Sequence, residues 1–457
     1  MAFILCLLLP CMPSSASTAF FVHHEGTLLA RNYDWKSGHG YVFKNLKGQR
    51  KYAYGWSGQH PASWTSKYGS VTFNQFGKEF PIGGMNETGL VVEQILLPHS
   101  TYPNFGGPSV SNSEWVQYQL DNFSNVDEVL KNIESLQIYP LETVHFFVAD
   151  KAGRGAVIDF VNGNYGIHLR TQHHMVLTTE NYLDSEQYFE REKHTDNIVL
   201  NTNLDRYVHL KRKIQNIDVD EVYIAFGLLQ QVASSADPYP TQWSVVYDLE
   251  NLKIHYKGLR SPNEKVVEFS DLDFSELGEI EVTNITEKQV SWKPYNTDII
   301  RFLFQKSQSI KSWYLDENLF LSHLQDPSSR KIDQQFQEYY RNILFRFITK
   351  DAKGLLSFIL IKKENSFPPK FESVKAGQLI VAGRETQQML YGIPKGELSL
   401  ACFQDINFEG EVSNRVLSSP NNFQFLKQVN GSQKQPPIIL DTQLDIKDDT
   451  EIIIKIR

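Results

Sequence analysis

Cysteine is scarce: of three in 457 residues, Cys6 and Cys11 lie near the amino terminus and only Cys402 lies beyond them. A chain left with one thiol once its first residues are removed forms no internal disulfide, and it lacks a Cys-rich metal framework. Basic charge is also short, with 45 Lys and Arg against 53 Asp and Glu and a net charge of −8. No basic stripe gathers it, so the electrostatic footprint of a nucleic-acid binder is missing, and the acidic excess serves solubility. Histidine pairs at helical spacing are absent too. His23-His24 and His173-His174 are adjacent, so in strands their side chains point to opposite faces and read as surface or edge residues rather than ligands of one ion. No Gly-x-Ser-x-Gly elbow occurs; the nearest stretch, Gly55-Trp56-Ser57-Gly58, reads as a turn.

Apolar residues make up 41% of the chain and aromatics 12%, enough at this length to bury a large core and to build two domains. At the terminus the strongly apolar run is Ala2 to Pro10, too short to span a bilayer. It reads as the apolar segment of an export signal, although no Lys or Arg precedes it. Ser14 and Ala16 supply small residues for cleavage between Ala16 and Ser17. The expectation is a periplasmic or secreted protein with no transmembrane segment after processing. Pro10 directly before Cys11 argues against a lipid-bearing cysteine.

Beyond Ala16 the sequence predicts short strands at Ser17–Val22, Gly26–Asn32 and Tyr41–Asn45, punctuated by Glu25-Gly26 and Ser37-Gly38. Helical periodicity follows at Ser113–Leu120, with Ser113 as the cap, and at Val126–Leu136. Strands resume at Thr143–Ala149 and Ala156–Phe160, and Trp243–Leu249 with Leu252–Tyr256 reads as a hairpin. Strands, a helix pair and strands again indicate an α+β protein whose helices cover sheets. Past residue 286 the character changes. Helices are predicted at Asp298–Ser307 and Asp333–Tyr340, and strands at Asn342–Thr349, Leu355–Lys362, Gln378–Ala382, Leu398–Phe403 and Glu451–Ile456, forming a separate, mainly β domain.

Cleavage before Ser17 creates a self-contained chemical pair. A free α-amine, with a reference pKa of about 7.7–8.0, is partly neutral near pH 7 and can take the proton of the adjacent hydroxyl. Arg31 and Asp34 come next in Arg31-Asn32-Tyr33-Asp34-Trp35. If this strand pairs with Ser17–Val22, both return towards the terminus. Asp34 would then hold the amine through a charge-assisted hydrogen bond, and Arg31 would steady the acyl-transfer oxygens or Asp34 itself. Trp35, Tyr41, Trp64, Tyr68 and Phe73 are candidates for an apolar acyl pocket, each also readable as core.

Ser-Thr-Ala-Phe-Phe from Ser17, with Leu28–Trp35, resembles the amino-terminal signature of the choloylglycine hydrolase family, which includes penicillin V acylases and conjugated bile salt hydrolases. The likeness continues in order through Gly84–Leu90, Trp115–Phe123, His145–Phe160, Leu204–Tyr207 and Thr241–Asp248, covering Ser17 to about Thr286. The resemblance implies an αββα sandwich of the N-terminal-nucleophile class that cleaves linear amides once the residues ahead of its nucleophile are removed. The organisation expected from it is a signal at 1–16, a hydrolase domain at 17–286 and a helix-plus-β domain of unassigned role at 287–457. It implies no cofactor or metal, and a small-molecule N-acyl amide as partner; monomer and homo-oligomer stay open.

By position the resemblance puts Ser17 where the family has a nucleophilic cysteine, and Arg31, Asp34 and Arg206 on the family's arginines and aspartate. Thr179 stands where the family has an asparagine that donates to the oxyanion, with Asn181 as a substitute donor two residues on. A second donor would be a backbone N–H near Glu93 to Leu96. A hydroxyl is a weaker nucleophile than a thiol, and a Thr donor is shorter than an Asn donor. The alternative expectation is therefore a family member that binds acylated ligands without turning them over.

Overall fold

The computed structural model describes residues 17–306 apart from 25, 55–59, 99, 196–197, 217–218, 220 and 236–238, and beyond them 340–349, 354–363, 371–381, 383–394, 396–405, 442–446 and 450–456. The export signal, Gly55-Trp56-Ser57-Gly58 and most of the helix expected at Asp333–Tyr340 lie outside these residues; Tyr340 itself begins a strand.

Two antiparallel sheets form the first part. The six-stranded sheet runs, in spatial order, His174–Leu177, β1 (Thr18–His23), β2 (Thr27–Asp34), Thr241–Asp248, Lys253–Gly258 and Ser261–Glu268. The nine-stranded sheet runs Asn164–Leu169, Gly155–Val161, Val144–Ala149, Val91–Leu96, Pro81–Asn86, Ser70–Asn74, β3 (Tyr41–Asn45), Glu281–Asn284 and Lys293–Pro294. The last hairpin of this sheet straddles the change of character expected at residue 286.

Side-chain alternation assigns the layers. Ala19, Phe21 and Leu29 share a core cluster with Val42, Phe73, Met85, Phe147 and Val157 of the other sheet, so these odd-numbered β1 positions face the sandwich interior. Their neighbours Phe20, Val22, Leu28 and Ala30 instead pack under α3 (Tyr182–Glu192), α4 (Asn203–Asn216) and α5 (Val222–Gln231), against Phe189, Tyr207, Leu210 and Leu229. On the far side Phe146, Val148, Ile158 and Phe160 meet α1 (Asn112–Asn122) and α2 (Val126–Lys131), and Trp115 stacks on Phe146 at 4.0 Å. The result is helix, sheet, sheet, helix, as expected. Each fully buried Leu, Val or Phe in such a layer contributes about 1.5–3 kcal/mol.

Two local expectations are corrected. The cap of α1 is Ser111, not Ser113: Ser111 Oγ accepts from the Glu114 N–H at 3.2 Å, and the Ser111 N–H donates to Glu114 Oε2 at 2.7 Å, a reciprocal capping box. The helix expected over Val126–Leu136 stops at Lys131, because Asn132 leaves helical geometry and the chain tightens into a single turn at Ile133–Ser135.

After α6 (Thr297–Lys306), the described residues form seven strands with a core of their own. Tyr340–Thr349 lies between Glu385–Pro394 and, in parallel, Thr450–Ile456, while Gly354–Lys363 lies between Phe371–Val381 and Gly396–Asp405, with Thr442–Ile446 at the edge. Phe345, Phe347, Phe358, Leu360, Leu400 and Cys402 fill the cluster between them, and burial pushes the Cys402 thiol up to about 12, as for an inert core residue. Glu385–Pro394, too polar for its alternation to stand out, was not foreseen.

Candidate active site

The site forms where β1 and β2 begin and end. Thr18 pairs with Asn32 and Ala19 with Arg31, so the start of the first strand meets the end of the second. Ser17 is buried at 3% exposure, and its Oγ accepts the main-chain N–H of Asp34 at 3.3 Å. A backbone donor aimed at a hydroxyl oxygen favours the negative charge that oxygen acquires on losing its proton.

Asp34 sits on the helix-facing side with Asn32, and it is fully buried. Asn32 ties β2 to its surroundings: its Nδ2 donates to the Leu229 carbonyl of α5 at 2.8 Å, and its Oδ1 accepts from Ser244 Oγ at 2.6 Å. Asp34 Oδ1 accepts the Thr241 hydroxyl at 2.5 Å, across the register pair Thr241–Asp34. Arg206 of α4 brings Nη1 to 3.9 Å from Asp34 Oδ2. Among the described residues no group donates a hydrogen bond to that Oδ2. Burial pushes the Asp34 carboxyl up to about 7, against the Thr241 hydrogen bond and the charges of Arg206 and Arg31.

Arg31 commits part of its guanidinium, and among the described residues its Nε has no hydrogen-bond partner. By alternation it faces the sandwich interior, and its Nη1 reaches across to Glu93 of the opposite sheet and to the Ile82 carbonyl at 3.0 Å. Tyr247 donates its hydroxyl to the other Glu93 oxygen at 2.5 Å. Burial pushes Glu93 upward against the pull of both partners. Arg31 therefore acts on Asp34 through its field, and its hydrogen bonds serve the inter-sheet pair. Glu93 was missed as a polar residue; its only signal is a carboxylate interrupting the apolar run Leu90–Leu97.

Thr179 follows the edge strand His174–Leu177. That strand pairs Ala19 with Leu177, and the same register carried two residues further sets Thr179 across from Ser17. It is buried, at 3% exposure. Asn181 is not available as the substitute donor: its Oδ1 caps α3 by accepting from Leu183 N at 3.0 Å and Asp184 N at 3.3 Å, and its Nδ2 donates to Asp159 at 3.2 Å. Near Glu93 to Leu96, where a main-chain donor was expected, pairing with Pro81–Asn86 ends at Glu93, so Gln94–Leu96 is paired on the Val144–Ala149 side only.

The aromatic candidates separate. Trp35 lies one residue past β2, next to Asp34 in the chain, stacked 6.2 Å from Tyr33 and tilted against Tyr239 at 6.0 Å. Phe73 packs edge-on to Tyr256 in the inter-sheet core, and Trp64 donates to Asp121 at 2.6 Å under α1, so both are core residues. Tyr41 meets Phe302 of α6 edge-on at 6.3 Å, and Tyr68 donates its main-chain N–H to the Asp121 carbonyl at 3.1 Å. Thr241 went unrecognised as a site residue because its partner Asp34 is 207 positions away. Among the described residues no cluster of His, Cys, Asp and Glu is set to hold a metal.

Comparison with known proteins bears on the fold and the family. A penicillin V acylase of Pectobacterium atrosepticum is 26% identical over 275 residues, 49% of this chain and 72% of that protein. The solved penicillin V acylase of Agrobacterium tumefaciens superposes with a TM-score of 0.54 at 21% identity, covering 62% of this chain and 98% of that one. A conjugated bile acid hydrolase from Clostridium perfringens gives 0.50 at 16% identity over 61% and 100%. At those identities the two structures establish a shared fold. The model of the linear amide C–N hydrolases matches residues 20–228. Over that segment, the chain matches the linear amide C–N hydrolases of the choloylglycine hydrolase family.

Proposed function

We propose that this protein is an exported hydrolase that cleaves the linear amide of an N-acylated small molecule, with Ser17 as nucleophile and its own α-amine as base once residues 1–16 are removed. The observation that carries the reading is the arrangement around Ser17: a buried hydroxyl on the Asp34 N–H, beside a carboxylate oxygen for which no donor is found among the described residues and which an amine at position 17 would satisfy. The hydroxyl oxygen attacks the amide carbon while its proton passes to the α-amine, and the Thr179 side chain donates to the oxyanion. Collapse of the tetrahedral intermediate expels the amine product, which takes that proton, and leaves an acyl ester on Ser17. Water, activated by the same α-amine, then releases the carboxylic acid. Asp34 orients the amine, and Arg206 keeps Asp34 ionised.

The competing reading, an acyl-ligand binder without turnover, is favoured by one pairing: serine and threonine stand at the two positions where the resemblance implies cysteine and asparagine. Mass spectrometry of the mature protein, with Ser17→Ala and Ser17→Cys assayed on a panel of N-acyl amides, separates the two. A mature chain beginning at Ser17, an inactive Ser17→Ala and a faster Ser17→Cys support the hydrolase. A different amino terminus, or full turnover by Ser17→Ala, overturns it, and no activity in any form favours the binder.

A further inference from the structure

The nine-stranded sheet carries a buried polar pair that the chemistry above does not use. His145 and Asp159 lie opposite one another on neighbouring strands, both pointing into the sandwich, at 0% and 1% exposure. His145 Nδ1 is 2.9 Å from Asp159 Oδ1, and Nε2 is 2.9 Å from the main-chain carbonyl of Thr178, which belongs to the other sheet's edge segment. Both ring nitrogens thus face acceptors, a carboxylate and a carbonyl. Asp159 Oδ2 in turn accepts from Tyr182 N at 3.0 Å and Asn181 Nδ2 at 3.2 Å, and lies 3.4 Å from His168 Nε2. The segment Thr178–Tyr182 is thus held at its carbonyl end by His145 and at its helical end by Asp159.

Thr179 lies inside that clamped segment. We propose that the His145–Asp159 pair is a positioning device for the active site, fixing the Thr178–Thr179 peptide so that Thr179 stays across from Ser17. The inference rests on the hydrolase reading of Ser17. A trans peptide is planar, so fixing the Thr178 carbonyl fixes the plane on which the Thr179 N–H and Cα lie. A core position otherwise given to apolar residues holds a polar, hydrogen-bonded pair here, and such a buried pair is weak evidence for stability; its bonds converge on one loop, the loop that carries Thr179. Burial pushes Asp159 upward, yet hydrogen bonds from His145 and His168 hold it well below the usual carboxylate range, as a carboxylate that is an acceptor on every side must be.

The test uses the full mature chain carrying His145→Leu, or Asp159→Asn, which preserves shape if the first fails to fold. Amide exchange of residues 178–182 is followed alongside kcat and KM, each also in a Thr179→Val background. The expected result is faster exchange confined to that segment and a kcat loss of about 10- to 100-fold with KM unchanged, a loss that shrinks to a few-fold when Thr179 is already Val. Unchanged exchange overturns the inference whatever turnover does. So does an equal kcat loss in both backgrounds, because the pair would then act elsewhere than through Thr179. Ser17→Ala, run in parallel, separates the two levels: if it stays active the reading of the site falls and this inference falls with it, whereas an inactive Ser17→Ala with an unaffected Asp159→Asn sinks the inference alone.

Discussion

The carboxyl of Asp34 should report directly on whether an amine stands beside it. With Ser17 still joined to a preceding residue, burial pushes that carboxyl from an ordinary 3.8 up to about 7. The folded state then binds the proton more tightly than the unfolded chain does. A native pKa above the unfolded one means stability is lost as pH rises, beginning near pH 4 and complete near pH 7. A rise of this size in a fully buried group corresponds to about 4 kcal/mol. In the mature chain the α-ammonium next to Oδ2 stabilises the ionised form, and a charge-assisted hydrogen bond is worth about 1.5–3 kcal/mol. The fall in stability between pH 4.5 and pH 7 should therefore be smaller in the mature chain by that amount.

The comparison requires two proteins, one starting at Ser17 and one with a single extra residue ahead of it, unfolded in urea at both pH values. All other side chains are common to the two and cancel in the difference, and the α-amine stays charged through this range. Asp34→Asn should flatten the difference, and in the mature chain it should lower kcat/KM by roughly 10- to 100-fold for the same lost bond. Equal pH dependence in the two proteins would refute the pairing of Asp34 with the amine.

Thr179→Val should lower kcat by about 100-fold while leaving KM within a few-fold, and Thr179→Asn should restore or exceed the native rate, since one oxyanion donor is worth about 2.7–4 kcal/mol; initial rates on the best N-acyl substrate decide it. Glu93→Gln strands Arg31 in the interior and should destabilise by about 3–5 kcal/mol in urea, whereas the double change Arg31→Met with Glu93→Leu should recover most of that loss. Ser111→Ala removes one half of the α1 capping box and should cost about 1 kcal/mol in the same assay with no change in KM.

Much of the fold was legible because apolar alternation and helical spacing are local. β1, β2, β3 and the hairpin at Thr241–Asp248 fall within a few residues of expectation, since each alternates between two buried faces bounded by turn residues. Helices α3 and α5 escaped notice. The first is capped by Asn181 and buries only Ser185 and Phe189, and the second is apolar on most sides, so neither shows a clean 3.6-residue stripe.

The site was legible to a different depth. Ser17, Arg31 and Asp34 were found together because a single hairpin joins them, and a hairpin's register follows from a few neighbouring residues. Their partners follow from sheet order instead. Thr241 reaches Asp34 because the strand at Thr241–Asp248 crosses the whole domain to lie beside β2, and Glu93 reaches Arg31 from the opposite sheet. Arg31 shows the consequence most plainly. Its position in the chain put it three residues from Asp34, but strand alternation turned its side chain to the sandwich interior, the face opposite Asp34, where a buried carboxylate 62 positions away took its hydrogen bond. A motif read along the chain assigns neighbours in sequence, while pleat and register decide which of them share a face. A charged residue an odd number of positions from a buried carboxylate in a strand is for that reason a weaker candidate for direct contact than one brought in by a separate helix, as Arg206 is by α4.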